Sequence, residues 1–224
     1  MKGEEVKRLQ QLLGVCNDGI FGKNTLAALK KYQADSGLKA DGIAGVRTFM
    51  SLTGDRSFKE PPDFKQYDAR WGKKIYSSHG DKTQTIASSG CGPTSMANAV
   101  VALTGESVTP ADACEKALSW GDRSYSNGTN WSFFGHAAKE YGLALKATNS
   151  LWDALECLEK GGVAVVSFGK SKWTSGGHYC LIWGYDKARF FVRDPASAKE
   201  SRAFGTADEV TAARKRFFCF TKTK

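Results

Sequence analysis

The sequence predicts an α+β fold in two parts. A small three-helix module comes first, followed by a larger domain whose leading helix carries a cysteine and whose antiparallel β-sheet carries a histidine and an aspartate. Three observations carry this prediction. The pattern D-G-I-x-G-x-x-T occurs twice, at 18–25 and at 41–48. The stretch S-S-G-C-G-P-T-S at 88–95 has the form of a helix start. Apolar, aromatic and β-branched runs flank a polar turn in H-Y-C-L-I-W-G-Y-D-K-A-R-F-F-V-R-D at 178–194.

The bulk properties bound the function. A chain of 224 residues, 41% hydrophobic and 25% charged, has ordinary globular composition and suits one or two domains. No apolar run approaches the roughly 18–20 residues needed to span a bilayer, so no membrane insertion is expected. The first residues, M-K-G-E-E-V-K-R-L-Q-Q-L-L-G-V, lack the apolar core of a secretory signal. Synthesis in the cytoplasm is therefore expected, with any action outside the membrane depending on release by another agent. The formal net charge of +9 favours anionic surroundings: nucleic acid, a membrane surface or an anionic wall. The basic excess is spread along the chain, with no block of five like charges and no nucleic-acid motif. General attraction or plain solubility then explains it, and no nucleic-acid partner is expected.

There are 6 cysteines and 3 histidines. No C-x-x-C and no H-E-x-x-H is present, so neither a zinc site nor a dithiol redox centre is predicted. Free thiols, no metal, no cofactor and a monomer are the expectations.

In the first part, each Asp-Gly marks a tight turn, and each Thr of the repeat is placed to help begin the helix behind it. Helical spacing predicts α-helices over Glu4–Leu13, Thr25–Ser36 and Val46–Leu52. The whole stretch resembles the peptidoglycan-binding domain found on many cell-wall hydrolases. The residues that carry the resemblance are V-K-R-L-Q-Q-L-L, D-G-I-F-G-K-N-T, A-L-K-K-Y-Q, L-K-A-D-G-I-A-G and T-F-M-S-L. It implies a module that binds the stem peptide or glycan of bacterial peptidoglycan. The expected boundaries are 1–53 for the module, 54–63 for a polar, proline-containing linker, and 64–224 for the second domain.

In the second domain, Pro93 fits the first turn of a helix, Met96, Val100 and Leu103 recur at helical spacing, and Gly105 is placed as a C-terminal cap. Cys91 therefore sits at a helix N-terminus, where the dipole and free N–H groups favour thiolate. The flanking glycines leave room for a substrate. The stretch alone leaves two readings open, a buried thiol and a nucleophile. A nucleophilic cysteine needs a base and an acceptor to orient that base. If His178 and Asp194 oppose each other, the pairing centres on residue 186, inside the predicted turn, and both side chains share a face. His79 reads as plain surface and His136 as helix surface or core. Cys180 reads as a packed strand residue near the site, and Cys114 and Cys157 as core. Leu151–Lys160 is predicted as a helix and Val163–Phe168 as a buried strand.

Five motifs give this domain a resemblance to papain-like cysteine peptidases of the double-glycine-leader-peptidase-like group. They are F-K-Q-Y-D-A-R-W-G (64–72), T-I-A-S-S-G-C-G-P-T-S-M-A (85–97), G-T-N-W-S-F-F (128–134), W-T-S-G-G-H-Y (173–179) and V-R-D-P (192–195). The resemblance implies Cys91 as nucleophile, His178 as base and Asp194 as its orienter. It also implies an oxyanion-stabilising glutamine. Gln66, inside the first motif, is preferred for that role, with Gln84 as the rival. Trp131 and Trp173 are candidates for lining a substrate groove.

Together the two resemblances imply a bacteriophage-type endolysin. Such an enzyme binds the wall, cuts an amide of the peptide moiety by Cys-His-Asp chemistry and causes lysis. An amidase acting between sugar and first alanine, and a catalytically inactive wall-binding protein, are the alternative expectations.

Overall fold

A computed structural model describes residues 3–54, 57–126 and 128–223. The chain packs as two compact units, residues 1–57 with 185–189, and residues 58–184 with 190–224.

The first unit holds α1 (Glu4–Leu12), α2 (Lys23–Asp35) and α3 (Val46–Thr53). Its repeat is stitched by a glutamine that the eight-residue pattern does not include. Gln10 Nε2 donates to Asp18 Oδ1 (2.8 Å), the Ile20 carbonyl (3.1 Å) and Thr25 Oγ1 (3.0 Å), and its Oε1 accepts from the Gly19 N–H (2.8 Å). Gln33 repeats this with Asp41, Ile43, Thr48 and Gly42. Gly19 and Gly42 stand at φ 73° and 74°, a conformation that favours glycine. Thr25 and Thr48 do not cap their helices: the caps are Gly22 and Gly45, and both threonines are buried inside the glutamine networks. Each loop therefore depends on one buried side chain. Gln33→Ala would strand the Gly42 N–H and remove the donor shared by Asp41, the Ile43 carbonyl and Thr48, at about 2 kcal/mol. Amides of α2 and α3 should then exchange with solvent roughly 30-fold faster. Unchanged exchange would contradict this role.

The segment expected as a linker divides. Residues 55 and 56 lie outside the described residues. From Phe58 onward the chain packs on the second unit: Phe58 meets Phe191 edge-on at 6.5 Å, and Glu60 pairs with Arg193.

The second unit is mixed α and β. In order come α4 (Ile86–Ser89), α5 (Cys91–Thr104), α6 (Pro110–Ser119), α7 (Ser132–Glu140), β1 (Leu143–Thr148), α8 (Leu151–Glu159), β2 (Val163–Phe168), β3 (His178–Tyr185), β4 (Arg189–Arg193), β5 (Phe204–Thr206), α9 (Ala207–Ala213) and β6 (Arg214–Lys222). The strands form one six-stranded sheet in the order β1-β6-β2-β3-β4-β5. The β1/β6, β6/β2 and β2/β3 pairs are antiparallel. Helix α5 ends at Gly105 in the left-handed conformation, as its sequence predicts. It is buried along nearly its whole length against the sheet, with Met96, Ala97, Ala99 and Val100 packed among Val163, Val165, Leu181 and Phe218. Ser95 Oγ bonds to the Tyr179 carbonyl at 3.2 Å, so the helix that begins with Cys91 is fixed directly to the strand that begins with His178.

Candidate active site

The Cys91 position is set by a break between two helices. Thr85 and Ser88 form a reciprocal capping box that starts α4. The chain turns at Gly90 and restarts as α5, with half-buried Cys91 as its first residue. The N–H of Cys91 belongs to the first turn and has no partner within the helix. The flanking glycines serve packing rather than substrate approach. A Cβ on Gly90 would lie 2.6 Å from the Ile86 carbonyl oxygen, and one on Gly92 would lie 3.2 Å from Thr129 Cβ and 3.3 Å from Tyr179 Cδ2.

His178 opens β3 and pairs across β2 with Phe168. Its Nε2–H donates to Asp194 Oδ1 at 2.7 Å, and both side chains are buried. The Cys91 and Cys180 sulfurs lie near enough to the ring to favour its charged form. The contact between His178 and Asp194 is made, but not by the register expected. The turn closes with the Asp186 N–H on the Arg189 carbonyl, which moves the hairpin centre past residue 186, and Asp194 lies just beyond β4. It reaches His178 from a loop held in place at several points. The Ala196 N–H donates to Asp194 Oδ1 (2.8 Å), Lys65 Nζ to the Asp194 carbonyl (2.9 Å), and the Gln66 N–H to the Pro195 carbonyl (2.9 Å).

Sequence reasoning missed Arg202, whose Nε lies 2.5 Å from Asp194 Oδ2 as an ion pair. Its guanidinium also donates to the Trp173 carbonyl, and Trp173 Nε1 donates back to the Arg202 carbonyl at 2.9 Å. Arg202 lies in a short 3-10 turn eight residues after Asp194, within no motif that could have marked it.

Burial works against a charged His178 ring, yet the anionic partners prevail and raise its pKa above the ordinary 6.5. The Cys180 sulfur contributes most to this rise, followed by the hydrogen bond to Asp194, and Cys180 is itself pushed up to about 11 by burial. Because the folded-state value is raised, this pair stabilises the fold fully below pH 6.5, and the contribution disappears as pH climbs through the raised value. The His178 ring resonances should therefore show no titration between about pH 5 and pH 9. A midpoint near the ordinary value would contradict the pairing.

Gln66 is buried. Its Nε2 donates to the Ala87 carbonyl at 2.5 Å, leaving the second amide hydrogen uncommitted. Gln84 is engaged elsewhere: its Oε1 accepts from Arg123 Nη2 at 2.7 Å and its Nε2 donates to the Tyr125 carbonyl at 3.2 Å. Cys91, His178, Gln66 and Trp131 border one cavity of about 590 Å³, and Gln84 does not. Trp131 is half-exposed, edge-on to Phe218, with Arg216 over its ring at 5.3 Å. Trp173 also borders the cavity, but only 1% of it is exposed and it stacks on Phe168 at 4.2 Å. That ring is part of the packed floor of the cavity.

His79 stacks on exposed Tyr125, and His136 Nδ1 bonds to buried Asp122 at 2.7 Å; neither borders the cavity. His178, Cys180 and Asp194 have ligand-type atoms within 4.8 Å of one another. Those of His178 and Asp194 are already committed to each other and to Arg202 and Ala196, and the Cys180 thiol is protonated, so the set is built as a hydrogen-bonded network.

Residues 64–218 match the sequence profile of the Peptidase_C39 like family, and residues 2–52 match that of the peptidoglycan-binding domain family. A 57-residue stretch is 44% identical to an uncharacterised protein from the bpoA1 3′ region of Kitasatospora aureofaciens, covering 22% of this chain. The match spans about half, 48%, of that curated relative. Among solved structures, a C39-like peptidase from Bacillus anthracis is similar in fold (TM-score 0.50, 14% identity, 72% of this chain and 94% of that one). The double glycine motif protease of an AMS/PCAT transporter gives a TM-score of 0.48 at 18% identity over 75% of this chain and 96% of that one. The peptidase domain of Streptococcus ComA gives 0.46 at 17% over 59% and 91%.

Proposed function

Because the chain belongs to the Peptidase_C39 like family, we propose that it is a peptidoglycan hydrolase acting by thiol catalysis on an amide of the peptide moiety. The observation that carries this reading is the His178–Asp194 pair at 2.7 Å, whose histidine borders the same cavity as Cys91 at a helix start. Cys91, its proton passed to His178, attacks the scissile carbonyl. The developing oxyanion is met by the Cys91 N–H and the free amide hydrogen of Gln66. The C–N bond breaks as His178 gives its proton to the leaving amine, and a thioester remains on Cys91. His178 then takes a proton from water, hydroxide adds to the thioester, and the acid leaves with Cys91 expelled as thiolate beside the protonated His178.

The wall is the substrate in this reading because the first unit matches a peptidoglycan-binding domain. The +9 charge supports attachment to anionic wall polymers and should make it weaken as salt rises. A lysin of the phage type, released to the wall at lysis, is the biological role we assign. Removal of residues 1–55 tests the division of labour. Sedimentation with purified peptidoglycan should fall at least tenfold while cleavage of soluble fragments persists. Undiminished sedimentation would remove the binding role from the module.

A further inference from the structure

The cavity has a charge pattern that the catalytic residues do not require. Among the described residues, no Asp or Glu borders it, and its cationic side chains are His178, Arg202 and Lys215. Arg202 is neutralised by Asp194, and His178 is occupied by the same carboxylate. Lys215 is exposed and has no acidic partner among the described residues.

The backbone at Lys215 is irregular in a way that re-aims it. β6 pairs with β2 as Ser167↔Arg216 and then Phe168↔Arg214, so Lys215 is the extra residue of a β-bulge. A bulge bends the strand and redirects the inserted side chain. This one lies at the sheet end where Phe168 pairs with His178 on the other side. The next residue, Arg216, is held over Trp131, so Lys215 is the cation left to face the opening. Hydroxyl-bearing Thr129, Ser167, Thr174 and Ser175 complete a polar rim.

We propose that Lys215 is a specificity-determining residue that binds a carboxylate of the substrate, so that the site takes anionic peptides. The claim rests on the hydrolase reading above and narrows its substrate class. β6 and β3 are two strand spacings apart, about 10 Å. An extended substrate advances about 3.3–3.6 Å per residue, so the carboxylate lies within about three residues of the scissile carbonyl.

The test uses the full chain and solubilised peptidoglycan fragments in two pools, one untreated and one with its carboxylates converted to amides by carbodiimide and ammonia. Cys91-dependent release of new amino termini is measured below saturation. Wild type should cut the untreated pool about fivefold to tenfold faster than the amidated one. Lys215→Glu should bring that ratio to about one, with an unchanged melting temperature. Lys139→Glu makes the same charge change at an exposed position of α7 and should keep the ratio, which separates a local contact from the general field. Equal rates for wild type on both pools, or the wild-type ratio retained in Lys215→Glu, overturns the role of Lys215 while leaving the hydrolase reading intact. Cleavage of neither pool by wild type overturns both.

Discussion

Cys91→Ala should lower peptidoglycan cleavage by at least about 10⁴-fold while leaving wall binding unchanged. The size of the effect follows from what the substitution removes. The sulfur is the atom that forms the acyl bond, and no other thiol replaces it: Cys114, Cys157, Cys180 and Cys219 are buried, and exposed Cys16 belongs to the first unit and does not border the cavity. The fold should be little affected, because Cys91 is only half-buried at a helix start, at the edge of the core it packs against. His178 keeps Asp194, and α5 keeps its contacts with the sheet. Melting temperature and sedimentation with the wall should therefore match wild type. Residual cleavage above about one per cent of wild type would move the nucleophile elsewhere.

Asp194→Asn should damage both activity and stability. Asp194 accepts from His178 and Ala196 on one oxygen and faces Arg202 with the other. An amide has one acceptor and one donor, so either orientation sets an N–H against a donor. If the oxygen stays with His178 and Ala196, the amide nitrogen meets the Arg202 guanidinium. Cleavage should fall about 10²–10⁴-fold through loss of the oriented ring. Stability should fall by about 3 kcal/mol, because Arg202 keeps its partly buried position without a counter-charge. The two losses separate by experiment: activity is read well below the melting transition and stability from denaturant unfolding. A variant with wild-type rate would show that the carboxylate does not orient His178.

Much of this was readable from local sequence, and the failures have a common cause. Strand β2 follows its apolar run to the residue, and Gly105 ends α5 where helical spacing ends. These features depend on neighbours in the chain. The His178–Asp194 contact was also anticipated, but a register argument located Asp194 on the strand when it lies just beyond it, fixed by Lys65, Gln66 and Ala196. Arg202 and the bulge at Lys215 come from tertiary pairing and have no periodic signature. Gln10 and Gln33 were missed for a different reason. They are separated by the same interval as the D-G-I-x-G-x-x-T pattern, but each lies eight residues before its aspartate, inside the preceding helix. Trp173 borders the cavity as a packed ring stacked on Phe168, a burial that its place in the motif did not reveal.

The central claim is that Cys91 opens an amide of the wall's peptide. Digestion of purified peptidoglycan by the full chain, followed by mass spectrometry of the soluble products, tests it most directly. The account predicts new amino termini with no new reducing ends, and none of them with Cys91→Ala. The position of those termini separates cleavage within the stem peptide from cleavage between sugar and first alanine. New reducing ends, or new amino termini released equally by Cys91→Ala, would contradict it.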